Sequence, residues 1–272
     1  MKQTIAILCH PGQEARLPRY VIDSFASFWR EDGHDVFYLF GPDRFVPGDL
    51  VIVHVDLTVV PEAYFDLARR YPIVINGSIK DVRKSTFSRL RVRRGDTVEG
   101  RVIVKSELNF AGIPERMFGV PHVAPTAIRL RAPPDYRIYE SIEAVPQAIW
   151  DDPALIVERF LPTMEDGAYV TWALNFLGDQ VSCGKLVGKH PIVGGGTQIR
   201  IDRVAPHPEM VALRAELGID FGKLDYVVHD GAPILLDVNK TVGAGHIPLT
   251  PERMTTRRRR AEGLYAYFAQ ER

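Results

Sequence analysis

The chain predicts an α/β (α+β) fold in which a small parallel sheet leads and antiparallel strands follow. Three observations predict it. Short apolar runs alternate with helix-patterned segments over residues 1–76, the order a parallel sheet requires because its crossovers are built from helices. Strand-like runs at Tyr169 to Phe176, Gln180 to Val187 and Gln198 to Ile201 then follow one another without a helix between them, as in an antiparallel sheet. A last pair of apolar runs, between Phe221 and Asn239, flanks Asp230-Gly231, a dipeptide that supports tight reversal.

Thr4 to Cys9 is an apolar run ending in His10-Pro11-Gly12, and Leu17 to Asp32 carries Val21, Phe25, Phe28 and Trp29 at helical spacing. Asp35 to Phe40, Leu50 to Val55 and Ile73 to Asn76 read as further strands, with Pro61 to Arg70 a helix. Parallel sheets bind ligands at the carboxyl ends of their strands, so His10, Pro11 and Gly12 line the expected cleft. The loop lacks the spaced glycines of a dinucleotide fingerprint, and His10 reads as a loop residue rather than a catalyst.

Bases crowd the stretch from Lys80 to Lys105, with Arg83, Lys84, Arg89, Arg91, Arg93, Arg94 and Arg101 close together; such a run is a solvated face or a phosphate contact. The strand from Arg101 places Lys105 at its end. Glu115 to Val120 and Ser141 to Asp151 read as helices, Pro133-Pro134 as a breaker, and Leu155 to Pro162 as a strand leading into a turn. Thr250 is the expected N-cap of a helix from Pro251 to Arg272, with Leu264, Tyr265 and Phe268 as its apolar stripe and Arg257 to Arg260 as solvated charge.

Composition excludes more than it assigns. At 272 residues, 46% hydrophobic and 25% charged, the chain has the make-up of an ordinary globular protein with a sizeable core. Lys+Arg and Asp+Glu both total 34, so no global field steers it toward nucleic acid or an anionic membrane. Cys9 and Cys183 lack metal-ligand spacing and are too few for a disulfide framework, which favours a reducing compartment. The first apolar run is too short for a signal peptide and no stretch is long enough to span a bilayer, so a cytoplasmic location is expected.

The chemistry concentrates in the terminal hairpin. Side chains alternate faces along a strand, so Asp237 and Asn239 share one side, and Asp225 shares its own with Lys223. A strict two-residue turn at Asp230-Gly231 sets Asp225 opposite Leu236 and separates the sets, whereas one extra residue in the connection sets Asp225 opposite Asp237. The longer connection is the expectation. Acids converging in an apolar hairpin are poorly solvated, and a hard divalent cation with oxygen ligands keeps them ionised, which points to a magnesium-nucleotide site. The alternative is an edge strand showing its acids to water.

Lys84, then Val-Ile-Val-Lys105, then Val-Glu158-Arg-Phe160-Leu161-Pro162, then Lys223-Leu-Asp225 and Leu-Asp237-Val-Asn239, in that order, resemble the ATP-grasp superfamily. The resemblance covers most of the chain after residue 76, and residues 1–76 look like the Rossmann-like domain that precedes the grasp fold in many relatives. It implies a lid subdomain over residues 77–157 and a subdomain with the metal hairpin over 158–272. Residue by residue, it implies that Lys105 and Lys84 contact phosphates. Glu158, Arg159, Phe160 and Leu161 form an adenine hinge, and Glu165 binds ribose. Lys223 neutralises the transferring phosphoryl group, and Asp225, Asp237 and Asn239 hold Mg²⁺. Arg200 and Lys185, flanking Gly194-Gly195-Gly196, are candidates for gripping the substrate carboxylate or the γ-phosphate. The sequence departs from the family pattern where Ser106 to Gly112 carries one glycine instead of a glycine-rich flap, where Asp237 replaces the usual Glu, and where Val242 replaces Pro before Gly243.

The activity the resemblance implies is ADP-forming ligation, with ATP and Mg²⁺ as cofactors and a small-molecule carboxylate and amine as substrates. A nucleotide-binding sensor without turnover and a phosphotransferase are the alternatives. Neither the acid, the amine nor the oligomeric state is readable.

Overall fold

In the computed structural model the described residues are 1–120, 135–194, 196–245 and 250–269. Pro133-Pro134, Gly195 and the last three residues of the expected C-terminal helix lie outside them.

The first sheet forms as the alternation predicts. Strands β1 (Thr4–Cys9), β2 (Asp35–Phe40), β3 (Leu50–Val53) and β4 (Ile73–Ile75) are parallel in the order β2-β1-β3-β4, with helices α1 (Val21–Glu31) and α2 (Glu62–Ala68) as crossovers. Strand parity assigns the two faces. Ile5, Ile7, Leu50 and Ile52 pack on the α1 side with Phe25 and Trp29, while Ala6, Leu8, Val51 and Val53 pack on the α2 side with Tyr64 and Phe65. Both faces being covered accounts for the near-continuous apolar runs.

Three expected helices are shorter than their patterns. Leu17 to Tyr20 is not α-helical, because Pro18 sits in a 3₁₀ turn over Pro11–Arg19 and Tyr20 is extended, bridging to Gly243. Only Gln147–Trp150 of the segment from Ser141 is helical, since Pro146 restricts the chain before it. The C-terminal segment breaks into Pro251–Ala261, a 3₁₀ turn at Glu262–Leu264 and Tyr265–Ala269.

The second layer is a three-stranded antiparallel sheet. After α3 (Lys84–Phe87) come β5 (Val102–Ser106), α4 (Ile113–Met117), β6 (Arg137–Tyr139), α5 (Gln147–Trp150) and β7 (Leu155–Arg159), with strand order β6-β5-β7. Val102, Val104 and Val157 point into its own core with Ile149. Ile103, Lys105, Ile156 and Glu158 therefore point out of the opposite face.

The largest sheet holds β8 (Thr163–Glu165), β9 (Ala168–Leu177), β10 (Gln180–Gly188), β11 (Gln198–Val204), β12 (Phe221–His229) and β13 (Ala232–Asn239), ordered β11-β10-β9-β12-β13 with β8 beside β9. One face packs on α6 (Pro208–Glu216) through Leu174, Phe176, Leu224 and Tyr226, with Met210 of α6 among them. The other face begins at Leu177 and Phe221, which join the core under α1, α7 (Pro251–Ala261) and α8 (Tyr265–Ala269).

Arg257, Arg258 and Arg260 of α7 correct the expectation of solvated charge, while Arg259 is exposed as expected. Arg257 is buried and donates to Ser24 Oγ at 2.9 Å and to the Ala244 carbonyl at 3.2 Å. Arg258 Nη1 reaches Glu31 Oε2 at 2.6 Å, fastening α7 to the end of α1. Gly263 ends this docking: a Cβ there would overlap the Leu177 carbonyl. Gly263→Ala is expected to destabilise the fold by about 1–3 kcal/mol, as overpacking of a closed contact does. A thermal melt with an unchanged midpoint would refute this close approach.

His54, at the end of β3, is fully buried, with Gln13 Nε2 at 3.4 Å and Cys9 Sγ at 4.0 Å from its Nδ1 and no partner for Nε2. Burial lowers its pKa to about 3, and Lys240 adds to the effect. The unfolded chain then binds a proton that the folded chain refuses between about pH 6.5 and 3, so this residue's stability contribution is complete above that window and is lost as pH falls through it. Asp56 nearby opposes it, because burial raises its carboxyl. His54→Gln is expected to flatten the acid limb of stability by up to about 1.4 kcal/mol per pH unit. Denaturant melts from pH 7 to 4 that run parallel for the two proteins would exclude this role.

Candidate functional site

The hairpin brings its acids together, by a different device from the expected one. His229 pairs with Ala232, so the turn at Asp230-Gly231 is the strict two-residue kind, with φ of 51° and 80°. The extra residue lies inside β13. Tyr226 faces Leu235 and Asp225 faces Asp237, leaving Leu236 as a bulge. The bulge lets Leu235 and Val238 both enter the core on the α6 face while Asp237 turns to the Asp225 side. Lys223 pairs with Asn239 in the same register, so all four side chains occupy one face.

Cations meet these acids from two elements, and a third cation meets Glu158. Lys223 Nζ lies 2.7 Å from Asp225 Oδ2, and Lys84, only 2% exposed on α3, puts Nζ 3.5 Å from Asp237 Oδ1. Lys105 Nζ is 2.6 Å from Glu158 Oε2 on the facing sheet. This last pair is a charge contact without hydrogen-bond alignment, and both Glu158 oxygens, like Asp237 Oδ1, are buried without a directed donor. Burial raises the Asp225 carboxyl, with Lys223 opposing and Asp237 reinforcing. Burial works against charge on Lys223, but Asp225 and Asp237 outweigh it and raise its pKa.

Three residues join the site without a sequence signal of their own. The Tyr136 hydroxyl is raised by burial and then by Asp237, with Lys105 opposing and Glu158 adding, so it feels the charges of both sheets. The Thr241 N–H donates to Asn239 Oδ1 at 2.8 Å and its hydroxyl donates to Asp56 Oδ1 at 2.5 Å, fixing the amide from behind. Buried Lys240 donates to the Leu57 carbonyl at 2.7 Å, and burial lowers its pKa to about 8. Adjacency to Asn239 was the only hint for the last two.

In the segment expected to form the hinge, the Arg159 N–H donates to Leu90 O at 2.8 Å and the Phe160 N–H to Arg101 O at 2.9 Å. The Arg101 guanidinium sits 5.1 Å from the Phe160 ring centroid. Among the described residues the Leu161 N–H has no backbone partner. Glu158, expected to act through its backbone, sends its side chain to Lys105. The loop after Lys105 is tied down, since the Asn109 N–H donates to Thr58 Oγ1 at 2.9 Å and the Thr58 N–H to Glu115 Oε1 at 2.7 Å. Its residues Phe110, Ala111 and Gly112 are all left-handed, at φ of 45°, 55° and 66°.

The remaining candidates are not brought to the acids. Lys185 faces Trp172 across the ladder and Arg200 faces Val187, which puts both on the α6 face of the sheet, opposite Lys223 and Asp225. Lys185 Nζ pairs with Glu165 Oε2 at 2.6 Å, and Arg200 Nε with Asp202 Oδ1 at 2.9 Å. Glu165, opposite Ala168, shares that face. Strand parity, invisible without the register, thus separates Lys185 and Arg200, expected at the substrate carboxylate or the γ-phosphate, and Glu165, expected at ribose, from the hairpin acids.

The donor set suits a hard cation. Two carboxylates and an amide oxygen offer only oxygen ligands, and one of those oxygens is buried without a donor. Among the described residues no group of three His, Cys, Asp or Glu could hold a metal by itself, so other ligands would have to complete the shell.

The fold is that of the ATP-grasp superfamily. No family model matches the sequence and no curated protein resembles it in sequence. Solved structures match its shape. An ATP-grasp RimK domain protein from Sphaerobacter thermophilus aligns over 96% of this chain and 99% of its own, at TM-score 0.54 and 13% identity. D-alanine–D-alanine ligase from Bacillus anthracis aligns over the full length of both chains at TM-score 0.52 and 8% identity. Its complex with ATP aligns over 99% of this chain and 100% of its own at TM-score 0.52 and 9% identity. Among the described residues no helix is long and apolar enough to cross a membrane.

Proposed function

We propose that the chain is an ATP-dependent, ADP-forming carboxylate-amine ligase that uses Mg²⁺ and acts on small molecules in the cytoplasm. The observation that carries this reading is the set of three lysine–acid pairs: Lys84 with Asp237 and Lys223 with Asp225 at the hairpin, and Lys105 with Glu158 on the three-stranded sheet. Such a set is charge-balanced when empty and suits an exchange of partners: a polyphosphate takes the lysines and a cation takes the acids of the hairpin.

In this reading Lys105 and Lys84 bind phosphate oxygens and Lys223 neutralises the group being transferred. Asp225, Asp237 and Asn239 hold the metal, which when bound supplies Lewis-acid charge to the phosphates. Glu158 to Leu161 hold adenine, with the Leu161 N–H, which has no backbone partner among the described residues, as a donor of that hinge. The acid's carboxylate oxygen bonds to the γ-phosphorus as the bond to ADP breaks, and an amine then displaces phosphate from the acyl phosphate. Little covalent chemistry is asked of the protein, since positioning alone contributes about 7–11 kcal/mol. Lys185, Arg200 and Glu165 have no role in it.

Purified protein with ATP and Mg²⁺, screened against amino acids and small carboxylic acids, is expected to release ADP when the right acid is present. Tight ATP binding with no acid-stimulated release favours the sensor instead, a reading supported by the tied-down loop from Asn109 to Gly112.

A further inference from the structure

The row of residues that crosses the large sheet through the acid pair runs Arg203, Gly184, Ala173, Asp225, Asp237. Opposed residues of paired strands point to one face, so Arg203 on β11 faces the same way as the acids. Gly184 and Ala173 carry almost no side chain, which makes the row a shallow trough between arginine and acids, covered at Ala173, which is buried. Neighbouring strands lie about 4.8 Å apart, so three ladder steps separate Arg203 and Asp225 by roughly 14 Å.

At the arginine end α7 closes over the sheet, and a cavity of about 110 Å³ opens between them, lined in part by Ser182, Arg203, Thr256, Arg259 and Arg260. Arg260 Nη1 donates to Ser182 Oγ at 3.0 Å and Arg259 Nε to Gln180 Oε1 at 3.3 Å. Among the described residues none of these three guanidiniums has a carboxylate within ion-pair distance, whereas their neighbours Arg258 and Arg200 do. Burial, and Arg257 alongside, lower Arg260 to about 10, as befits a cation without a counter-charge. Three arginines and the hydroxyls of Ser182 and Thr256 thus line the cavity, and among the described residues no acid does. The planar fork of arginine matches a carboxylate.

We propose that this notch binds a second carboxylate of the acid substrate, so that a dicarboxylate or acidic amino acid lies along the trough with its reacting carboxylate toward Asp225 and Asp237. The inference rests on the ligase reading.

Isothermal titration calorimetry on the full chain with ADP and Mg²⁺ tests it, with glutarate, butyrate and inorganic phosphate as probes. Glutarate is expected to bind, butyrate to bind at least about tenfold more weakly, and Arg203→Gln and Arg259→Gln each to weaken glutarate by about tenfold or more. Both arginines are exposed, and unchanged melting confirms that the variants fold. Equal affinity for glutarate and butyrate, or glutarate binding that ignores both substitutions, overturns the proposal. So does arginine-dependent binding of phosphate without binding of glutarate. Failure of the ligase reading is distinguishable: no acid stimulates ADP release while arginine-dependent glutarate binding persists.

Discussion

Asp237→Ala is expected to lower acid-stimulated ADP release by roughly a hundredfold or more, because losing a group that stabilises transition-state charge costs on the order of 3 to 4 kcal/mol. Two features of the structure set this size. Asp237 faces Asp225 directly in the ladder, so its removal leaves one carboxylate and one amide oxygen to hold a cation. It is also the partner of Lys84, which is almost fully buried. Part of the loss is therefore structural, and Asp237→Asn separates the two: it keeps the shape and an oxygen toward Lys84 but not the charge. Its activity is expected to recover partly at raised Mg²⁺ concentration, read from initial rates across a magnesium series. Near-normal turnover in Asp237→Ala would end the metal assignment.

Lys105→Ala has the second largest expected effect, and it acts on stability and binding together. Glu158 is 1% exposed and, among the described residues, has Lys105 as its one cation within ion-pair distance. Truncating one partner of a buried pair leaves an uncompensated charge and costs about 3–5 kcal/mol. The double replacement Lys105→Met with Glu158→Leu removes both charges, so stability is expected to return while nucleotide binding does not. Denaturant midpoints and nucleotide titrations on the three proteins read the two quantities independently. A double variant that regains nucleotide affinity would show that Lys105 serves the fold alone.

Much of the architecture was legible because it rests on short-range pattern. The parallel sheet followed from apolar runs alternating with helical spacing, and Thr250 was recognisable as an N-cap, its hydroxyl accepting from the Arg253 N–H at 3.3 Å. Helix ends were less legible. Pro18, Pro146 and Gly263 stop or break helices through local restriction or a close approach, and apolar spacing alone does not weigh them against the pattern. The charges of α7 were misread for a related reason: four consecutive arginines look solvated until the partners on α1 and β10 are in place.

The sequence by itself determined which groups this protein brings to its chemistry. It supplied the order of lysines and an acid-bearing hairpin, because residue type and spacing are local properties. Tertiary structure alone decided which of them meet. A bulge at Leu236, rather than a longer turn, carries Asp237 to the Asp225 side, while the same ladders send Lys185 and Arg200 to the far face and Arg203 to the near one. Facing is set by register, a one-residue shift reverses it, and register is fixed by the packing of both sheet faces at once.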